Sequence, residues 1–124
     1  MRTYTSSKVH EEMIRYLIEM YRWLGYTSIK ADHILSLSNR PLMIGKHIPD
    51  ISAMRNFKTI IAEAETQDSL ELKETIEQWK DFSIHASRFG REFHVIVPKI
   101  LLPKAQTIAW TRGIKIHLFW PYEG

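Results

Sequence analysis

The sequence predicts an α/β protein in which one mixed β-sheet carries helices on both faces. Three observations lead to this prediction: an apolar period of three to four residues near the amino terminus, three strand-like segments in a row after it, and a later strand–helix–strand succession. The expected order of elements is α-β-β-β-α-β-α-β. The 124 residues suit a single domain over the whole chain, and a 44% hydrophobic content is typical of a globular protein.

The amino-terminal part of the chain predicts an amphipathic helix. Apolar residues recur at three- and four-residue intervals from Val9 to Leu24, which is the spacing of one helical face. Ser6 or Ser7 is expected to cap the start of this helix, because a hydroxyl oxygen accepts a hydrogen bond from the first turn. Gly25 is expected to end it, since glycine readily adopts the left-handed conformation found there.

Three strands are expected next. Residues 29–37 alternate between apolar and polar side chains, which is typical of a strand with one buried face. Residues 48–54 and 57–65 form two further strand-like segments with a tight connection at Arg55-Asn56, so they are expected to pair as a hairpin. Strands joined by short connections predict an antiparallel meander.

A second helix is expected after the hairpin. Asp68 or Ser69 is predicted to begin it, and Glu71 stands where it would complete a capping box with Asp68. Gly90 is predicted to end this helix.

The last part of the chain predicts a strand, a helix and a strand. Residues 93–97 form a continuous apolar strand apart from His94, and Pro103 suits the first turn of a helix that ends near Gly113. Residues 114–120 form the final strand, with Pro121 as its expected end. A strand–helix–strand unit predicts a parallel crossover.

Composition excludes several classes of function. The chain has no cysteine, which excludes a disulfide scaffold, a thiolate zinc site and a cysteine nucleophile. The six histidines lack the paired spacing of zinc sites, and without a glycine-rich phosphate loop no small organic cofactor is expected. No signal peptide or membrane-spanning stretch is present, so a cytoplasmic protein without a membrane partner is expected. The net charge of +3 is compatible with nucleic-acid binding but too small to argue for it alone.

Three acidic residues near the ends of the hairpin strands form the candidate site. Asp50 follows Pro49 in the second strand, and Glu63 and Glu65 end the third. Residues two apart on a strand share a face, so Glu63 and Glu65 lie on one side and Asp50 can converge on Glu63 across the hairpin. Clustered carboxylates repel one another unless a cation offsets them, and Mg²⁺ prefers oxygen ligands. The alternative is a surface hairpin that carries three solvated acidic residues.

Pro49-Asp50 and Glu63-Ala64-Glu65, embedded in this order of elements, resemble the motif of the PD-(D/E)XK nuclease superfamily, whose members share the restriction-endonuclease-like fold. The resemblance covers nearly the whole chain. It implies that Asp50, Glu63 and the carbonyl of Ala64 bind Mg²⁺ or Mn²⁺, and that a metal-activated water hydrolyses DNA phosphodiester bonds. A homodimer is implied if both DNA strands are cut.

Glu65 occupies the position at which this family carries lysine, the residue that orients the attacking water. Glu65 is therefore expected either to act as a catalytic base or further metal ligand, or to mark a domain that has lost catalysis. Lys58, Lys73 and Lys80 are candidates for a cation that has migrated from the motif.

The resemblance implies accessory residues on two helices. Members of the superfamily often place a glutamate of the first helix near the metal, for which Glu12 and Glu19 are candidates. Gln78, followed four residues later by Phe82, fits a pattern of several nuclease subfamilies. The alternatives are solvated helix charges, an exposed glutamine and a core phenylalanine.

The sequence thus favours a Mg²⁺-dependent nuclease-like domain that acts on DNA. A catalytically inactive module of the same fold, which binds nucleic acid or a protein partner, is the alternative, because a glutamate at position 65 adds negative charge beside a phosphate. A third possibility is an assembly subunit without a nucleic-acid function.

Overall fold

A five-stranded mixed sheet between helices forms the centre of the protein. The computed structural model describes residues 3–32 and 40–124. The mixed α/β class predicted from the sequence is confirmed. The elements in chain order are α1 (Tyr4–Trp23), β1 (Thr27–Ala31), β2 (Ile51–Arg55), β3 (Lys58–Ala64), α2 (Lys73–Phe89), β4 (Glu92–Pro98), a short 3-10 turn (Lys99–Leu101), α3 (Leu102–Thr111) and β5 (Leu118–Tyr122).

The strands lie side by side in the order in which they occur along the chain. Strands β1, β2 and β3 pair antiparallel, which confirms the predicted meander. Strand β4 runs parallel to β3, and β5 runs parallel to β4. Parallel neighbours need a long connection between them, and helices α2 and α3 provide these two connections.

Two apolar cores lie on opposite faces of the sheet. Helix α1 packs on one face, where its buried stripe contacts alternate residues of the strands, including Ile60, Ala62 and Ala64 of β3. Helices α2 and α3 cover the other face, against Ile61 and the alternate residues of β4. Because side chains alternate along a strand, Glu63 falls on the same side as Ile61, toward α2.

The β2–β3 hairpin has a two-residue loop, Asn56-Phe57, because Arg55 pairs directly with Lys58. Both loop residues have positive φ angles, 53° and 65°. This is the pattern of a type I′ turn, whose twist matches that of the flanking strands. The predicted hairpin is therefore present, with its loop one residue later than expected.

Helix α1 starts one turn earlier than the predicted caps. Thr3 is the capping residue, and its hydroxyl oxygen accepts a hydrogen bond of 3.1 Å from the backbone N–H of Ser6. The prediction of Ser6 or Ser7 as the cap was wrong because both lie inside the first turn of the helix. The helix ends before Gly25, which has a φ of 88° as expected.

Helix α2 begins at Lys73, later than the predicted start at Asp68 or Ser69. Asp68 does not cap a helix. Its carboxylate accepts hydrogen bonds from the hydroxyl of Thr66 and from the backbone N–H of Thr3 instead. The capping box predicted with Glu71 is therefore absent. The predicted end at Gly90 is correct.

Strands β1 and β5 differ from their predicted ranges. Strand β1 starts two residues before the expected segment 29–37, and residues 33–37 of that segment lie outside the described part of the chain. Strand β5 includes Pro121, which was expected to end it, and Pro121 pairs with Val97. Within the described part of the chain β5 is an edge strand, and proline is tolerated on edge strands.

Candidate functional site

A cleft of about 290 Å³ opens at the end of the β2–β3 hairpin that lies away from the Asn56-Phe57 loop. Of the described residues that line this cleft, none is a lysine or an arginine. Its walls are strongly acidic, so a phosphate would enter it only with a cation. The acidic lining residues are Asp32, Asp50, Glu63, Glu65, Asp68 and Glu74.

Asp50 and Glu63 meet in the cleft, as the alternation along the strands predicted. The backbone N–H of Asp50 donates to Oε1 of Glu63 at 3.1 Å. The backbone N–H of Ala64 donates to Oδ2 of Asp50 at 2.8 Å. These two bonds extend the hairpin beyond its last paired residues, Ile51 and Ala62. Both carboxyl groups are buried, with 8% and 6% of the residue exposed.

The two carboxyl groups hold their protons with unequal strength. Burial, followed by the negative charges of Asp50 and Glu65, raises the pKa of Glu63 well above its ordinary value of 4.5. Burial by itself would raise the pKa of Asp50 as well. Hydrogen bonding and charge from His10, with the N–H of Ala64, lower it instead. Glu63 therefore holds a proton more strongly than Asp50 does, and the buried pair favours a protonated Glu63 beside an ionised Asp50.

His10 of helix α1 completes this pair. Its Nε2 atom lies 3.3 Å from Oδ2 of Asp50, and both side chains are close to nine-tenths buried. Sequence reasoning dismissed His10 because it has no paired metal-ligand spacing. The helical periodicity of the sequence did, however, indicate that His10 faces the interior. His10 lies four and seven residues before Ile14 and Leu17, so it continues the buried stripe of α1 toward the amino terminus.

Asp32 is a second residue that sequence reasoning missed. It is buried, and its backbone N–H donates to the carbonyl of Asp50 at 3.0 Å. Its Oδ1 accepts a hydrogen bond of 2.8 Å from Nε of Arg40, whose side chain is largely exposed. Arg40 is thus a cation held at the rim of the acidic cleft. No local pattern pointed to Asp32, because alternation alone does not identify which polar residue faces a neighbour.

Glu65 is bound to the α2 side of the sheet. Oε2 of Glu65 accepts a hydrogen bond of 3.1 Å from the indole N–H of Trp79, and Oε1 accepts one of 2.8 Å from the hydroxyl of Ser69. Glu65 has 2% of its surface exposed, and Trp79 is fully buried. Both carboxylate oxygens therefore connect the end of β3 to α2 and to the turn before it.

Of the predicted accessory residues Gln78, Glu12 and Glu19, the first lies at the cleft and the two glutamates lie elsewhere. Gln78 lines the cleft. Glu12 does not line it and accepts a hydrogen bond of 3.3 Å from the hydroxyl of Tyr122. Glu19 forms a surface pair with Arg22, with 2.7 Å between the charged atoms.

The three candidate lysines lie away from the carboxylate pair. Lys73 and Lys80 are exposed on α2 and do not line the cleft. Lys58 lies at the opposite end of β3, where Nζ is 3.3 Å from Oε2 of Glu92. The structure therefore brings Asp50, Glu63, Glu65 and Gln78 to one cleft without any of these lysines.

The donor set of the cleft suits a hard divalent cation. Asp50 and Glu63 offer carboxylate oxygens, which Mg²⁺ and Mn²⁺ prefer. Within residues 3–32 and 40–124, no three His, Asp or Glu side chains already stand in a geometry that holds a metal ion. A bound cation would replace the proton of Glu63, because both supply the positive charge that offsets the buried pair.

Comparisons with protein-family models, with curated proteins and with solved structures give no match to this chain. No helix in the described ranges combines the length and the apolar content needed to cross a bilayer.

Proposed function

We propose that this protein is a divalent-cation-dependent nuclease-like domain of the restriction-endonuclease-like class, which hydrolyses phosphodiester bonds of DNA. One observation carries the proposal: Asp50 and Glu63 are buried side by side at the open end of a hairpin. Buried carboxyl groups are costly unless a proton or a cation lies between them. The mixed sheet with its antiparallel and parallel halves supports the assignment to this class.

Each residue around the pair has a distinct role in this proposal. Asp50, Glu63 and the carbonyl of Ala64 would hold Mg²⁺ or Mn²⁺, which would supply a positive charge to polarise a phosphate and to lower the pKa of a water molecule. The N–H of Ala64 and the ring of His10 orient the Asp50 carboxylate. Glu63 would have to lose its proton to bind a metal ion, so the affinity for metal should depend on pH.

The acidic lining of the cleft explains why cleavage would require metal. A DNA phosphate that approaches Asp32, Asp50 and Glu74 without a cation meets like charge on several sides. Arg40 at the rim, paired with Asp32, supplies a positive charge to meet the incoming backbone. Cutting both strands of a duplex would require two copies of the chain.

The experiment is a cleavage assay on supercoiled, linear and branched DNA with Mg²⁺ or Mn²⁺. Wild-type protein is expected to cut at least one substrate, while Asp50→Asn and Glu63→Gln are expected to abolish cutting. Both replacements keep the side-chain shape and remove a metal ligand. Glu12→Gln is the matched control, because Glu12 lies outside the cleft and should leave cleavage unchanged. Equal cleavage by Asp50→Asn and wild type would refute the assignment.

A second candidate is a non-catalytic module of the same class that binds nucleic acid. The hydrogen bonds of Glu65 to Trp79 and Ser69 favour it, since the position of the catalytic lysine is then filled by a carboxylate that stabilises the core. Calorimetry separates the two candidates. The module predicts no heat of binding with Mg²⁺ or Mn²⁺ but a DNA affinity that falls with salt, whereas the nuclease predicts metal binding that Asp50→Asn removes.

A further inference from the structure

The hairpin loop holds an aromatic residue in a conformation that side chains rarely adopt. Phe57 has a φ of 65° and is fully exposed to solvent. The second position of a type I′ turn is normally glycine, because a Cβ atom is strained there. A fully exposed ring gains no burial that would offset this strain. Local strain without a structural benefit is characteristic of positions that serve function.

Two further exposed aromatic residues lie at the same end of the sheet. Trp23, at the end of α1, is 84% exposed, and Phe89, at the end of α2, is 63% exposed. Arg55 joins the hairpin to the end of α1 through a hydrogen bond of 2.9 Å from Nη1 to the carbonyl of Leu24. The contact between Lys58 and Glu92 joins it to the segment that follows α2. We call Trp23, Phe57 and Phe89 the aromatic end.

Basic side chains surround the aromatic end. Arg55 and Lys58 flank the loop directly, and Arg91 follows Phe89 closely. Arg55 donates to a backbone carbonyl and Arg91 to the ring of His85, so the acceptor in each of these two hydrogen bonds is not a carboxylate. The cleft at the other end of the hairpin is acidic. A polyanion is therefore attracted to the aromatic end and repelled from the cleft in the absence of metal.

We propose that the aromatic end binds single-stranded nucleic acid. Phe57 stacks on an unpaired base, while Arg55 and Arg91 contact phosphates. Every base has a flat π-face, and proteins that bind single strands combine such aromatic platforms with basic grooves. A duplex hides these faces in its stack, so a protruding ring favours unpaired bases. This inference goes beyond the proposed function, because binding here requires neither metal nor cleavage.

The test measures fluorescence anisotropy of a labelled oligothymidylate of about 15 nucleotides, a length within the site size of single-strand binders. EDTA is present so that the cleft contributes nothing. Phe57→Ala is expected to raise Kd about tenfold, the loss of one stacked base, and Phe57→Trp is expected to retain binding. Trp110→Ala is the matched control: Trp110 on α3 is 86% exposed, and its removal should leave Kd unchanged.

A further variant separates binding from folding. Phe57→Gly suits the positive φ angle, so it should lose affinity as Phe57→Ala does while its thermal stability does not fall. Unchanged affinity in Phe57→Ala, or an equal loss in Trp110→Ala, would overturn the proposal. So would binding of a duplex of the same length as tightly as the single strand. Phe57-dependent binding of phosphatidylserine vesicles without oligothymidylate binding would assign the surface to membranes instead. None of these outcomes alters the cleavage test of the cleft.

Discussion

The indole N–H of Trp79 donates a hydrogen bond of 3.1 Å to Oε2 of Glu65 in the interior of the protein. The bond joins the middle of α2 to the end of β3, and both residues are buried. Glu65 stands where the nuclease superfamily that the sequence resembles carries lysine. Its carboxylate is accounted for by structure at this position, because the indole and the hydroxyl of Ser69 each satisfy one of its oxygens.

Removal of the indole donor should destabilise the fold. Trp79→Phe keeps most of the apolar volume but leaves Oε2 of Glu65 without this donor. We expect a loss of about 1–3 kcal/mol in the free energy of unfolding, since a buried acceptor oxygen loses one of its hydrogen-bond donors. Urea denaturation measures the loss. In a Glu65→Gln background the same replacement should cost less, and equal costs in both backgrounds would show that Trp79 stabilises by packing alone.

A lysine at position 65 is expected to destabilise the folded protein. Glu65→Lys places an ammonium group where Trp79 offers a donor, so two donors face each other in a buried site. We expect a loss of about 3–5 kcal/mol, which is the range for an uncompensated buried charge. The free energy of unfolding from urea titration tests this. A stable Glu65→Lys protein that cuts DNA faster than wild type would contradict the structural role of Glu65.

The free energy of unfolding should depend on pH because Glu63 binds a proton more strongly in the folded protein than in the unfolded chain. Its pKa in the folded protein is raised above the ordinary value of 4.5, so the folded state binds more protons than the unfolded state above that value. The free energy of unfolding should therefore fall as pH rises from about 4.5 until Glu63 ionises. Urea titrations in EDTA across this range measure it. Glu63→Gln, which cannot ionise, should flatten the decline, and an unaltered decline would place its origin elsewhere.

His94 should make the folded protein less stable as pH falls, whereas Glu63 should make it less stable as pH rises. It is buried between Tyr21, Trp120 and Glu92, and its Nδ1 atom accepts a hydrogen bond of 3.2 Å from the Trp120 indole. Burial lowers the pKa of His94 below its ordinary value of 6.5. The unfolded state then binds more protons than the folded state, and stability should be lost as pH falls below about 6.5.

Comparison of His94→Gln with wild type tests this prediction. Glutamine still offers an acceptor but does not titrate, so the dependence of the free energy of unfolding on pH should weaken. Urea denaturation at about pH 5 and about pH 8, on either side of the ordinary histidine pKa, provides the measurement. An identical pH dependence in the variant and in wild type would contradict the assignment to His94.

The capping residue of α1 can be located by mutation. Thr3→Ala removes the hydroxyl that accepts from the N–H of Ser6, and it should lower the free energy of unfolding by about 1 kcal/mol. Ser7→Ala is the control, because Ser7 lies within the helix and alanine is the better helix former. Thermal denaturation compares the two. A larger loss in Ser7→Ala than in Thr3→Ala would favour the cap predicted from sequence.

Repeating local patterns made part of this molecule predictable. The stripe of α1, the hairpin and the Asp50–Glu63 pair all follow from periods of 3.6 and two residues, and the structure reproduces each of them. Element ends were less predictable. Asp68 is a residue type that often caps helices, yet its carboxylate accepts hydrogen bonds from Thr66 and from the backbone N–H of Thr3 instead. Local sequence does not show which of several possible donors will form a hydrogen bond with a given carboxylate in the folded protein.

The sequence by itself therefore determined the α/β class, the succession of strands and the convergence of Asp50 with Glu63, because these depend on periodicity within short segments. The tertiary structure alone decided that His10 contacts Asp50 from 40 residues away. It also decided that Trp79 holds Glu65, and that the charges separate into an acidic cleft and a basic aromatic end. Such contacts depend on how helices pack across the sheet. The sequence around a single polar residue on an apolar stripe does not identify the distant residue that it will contact.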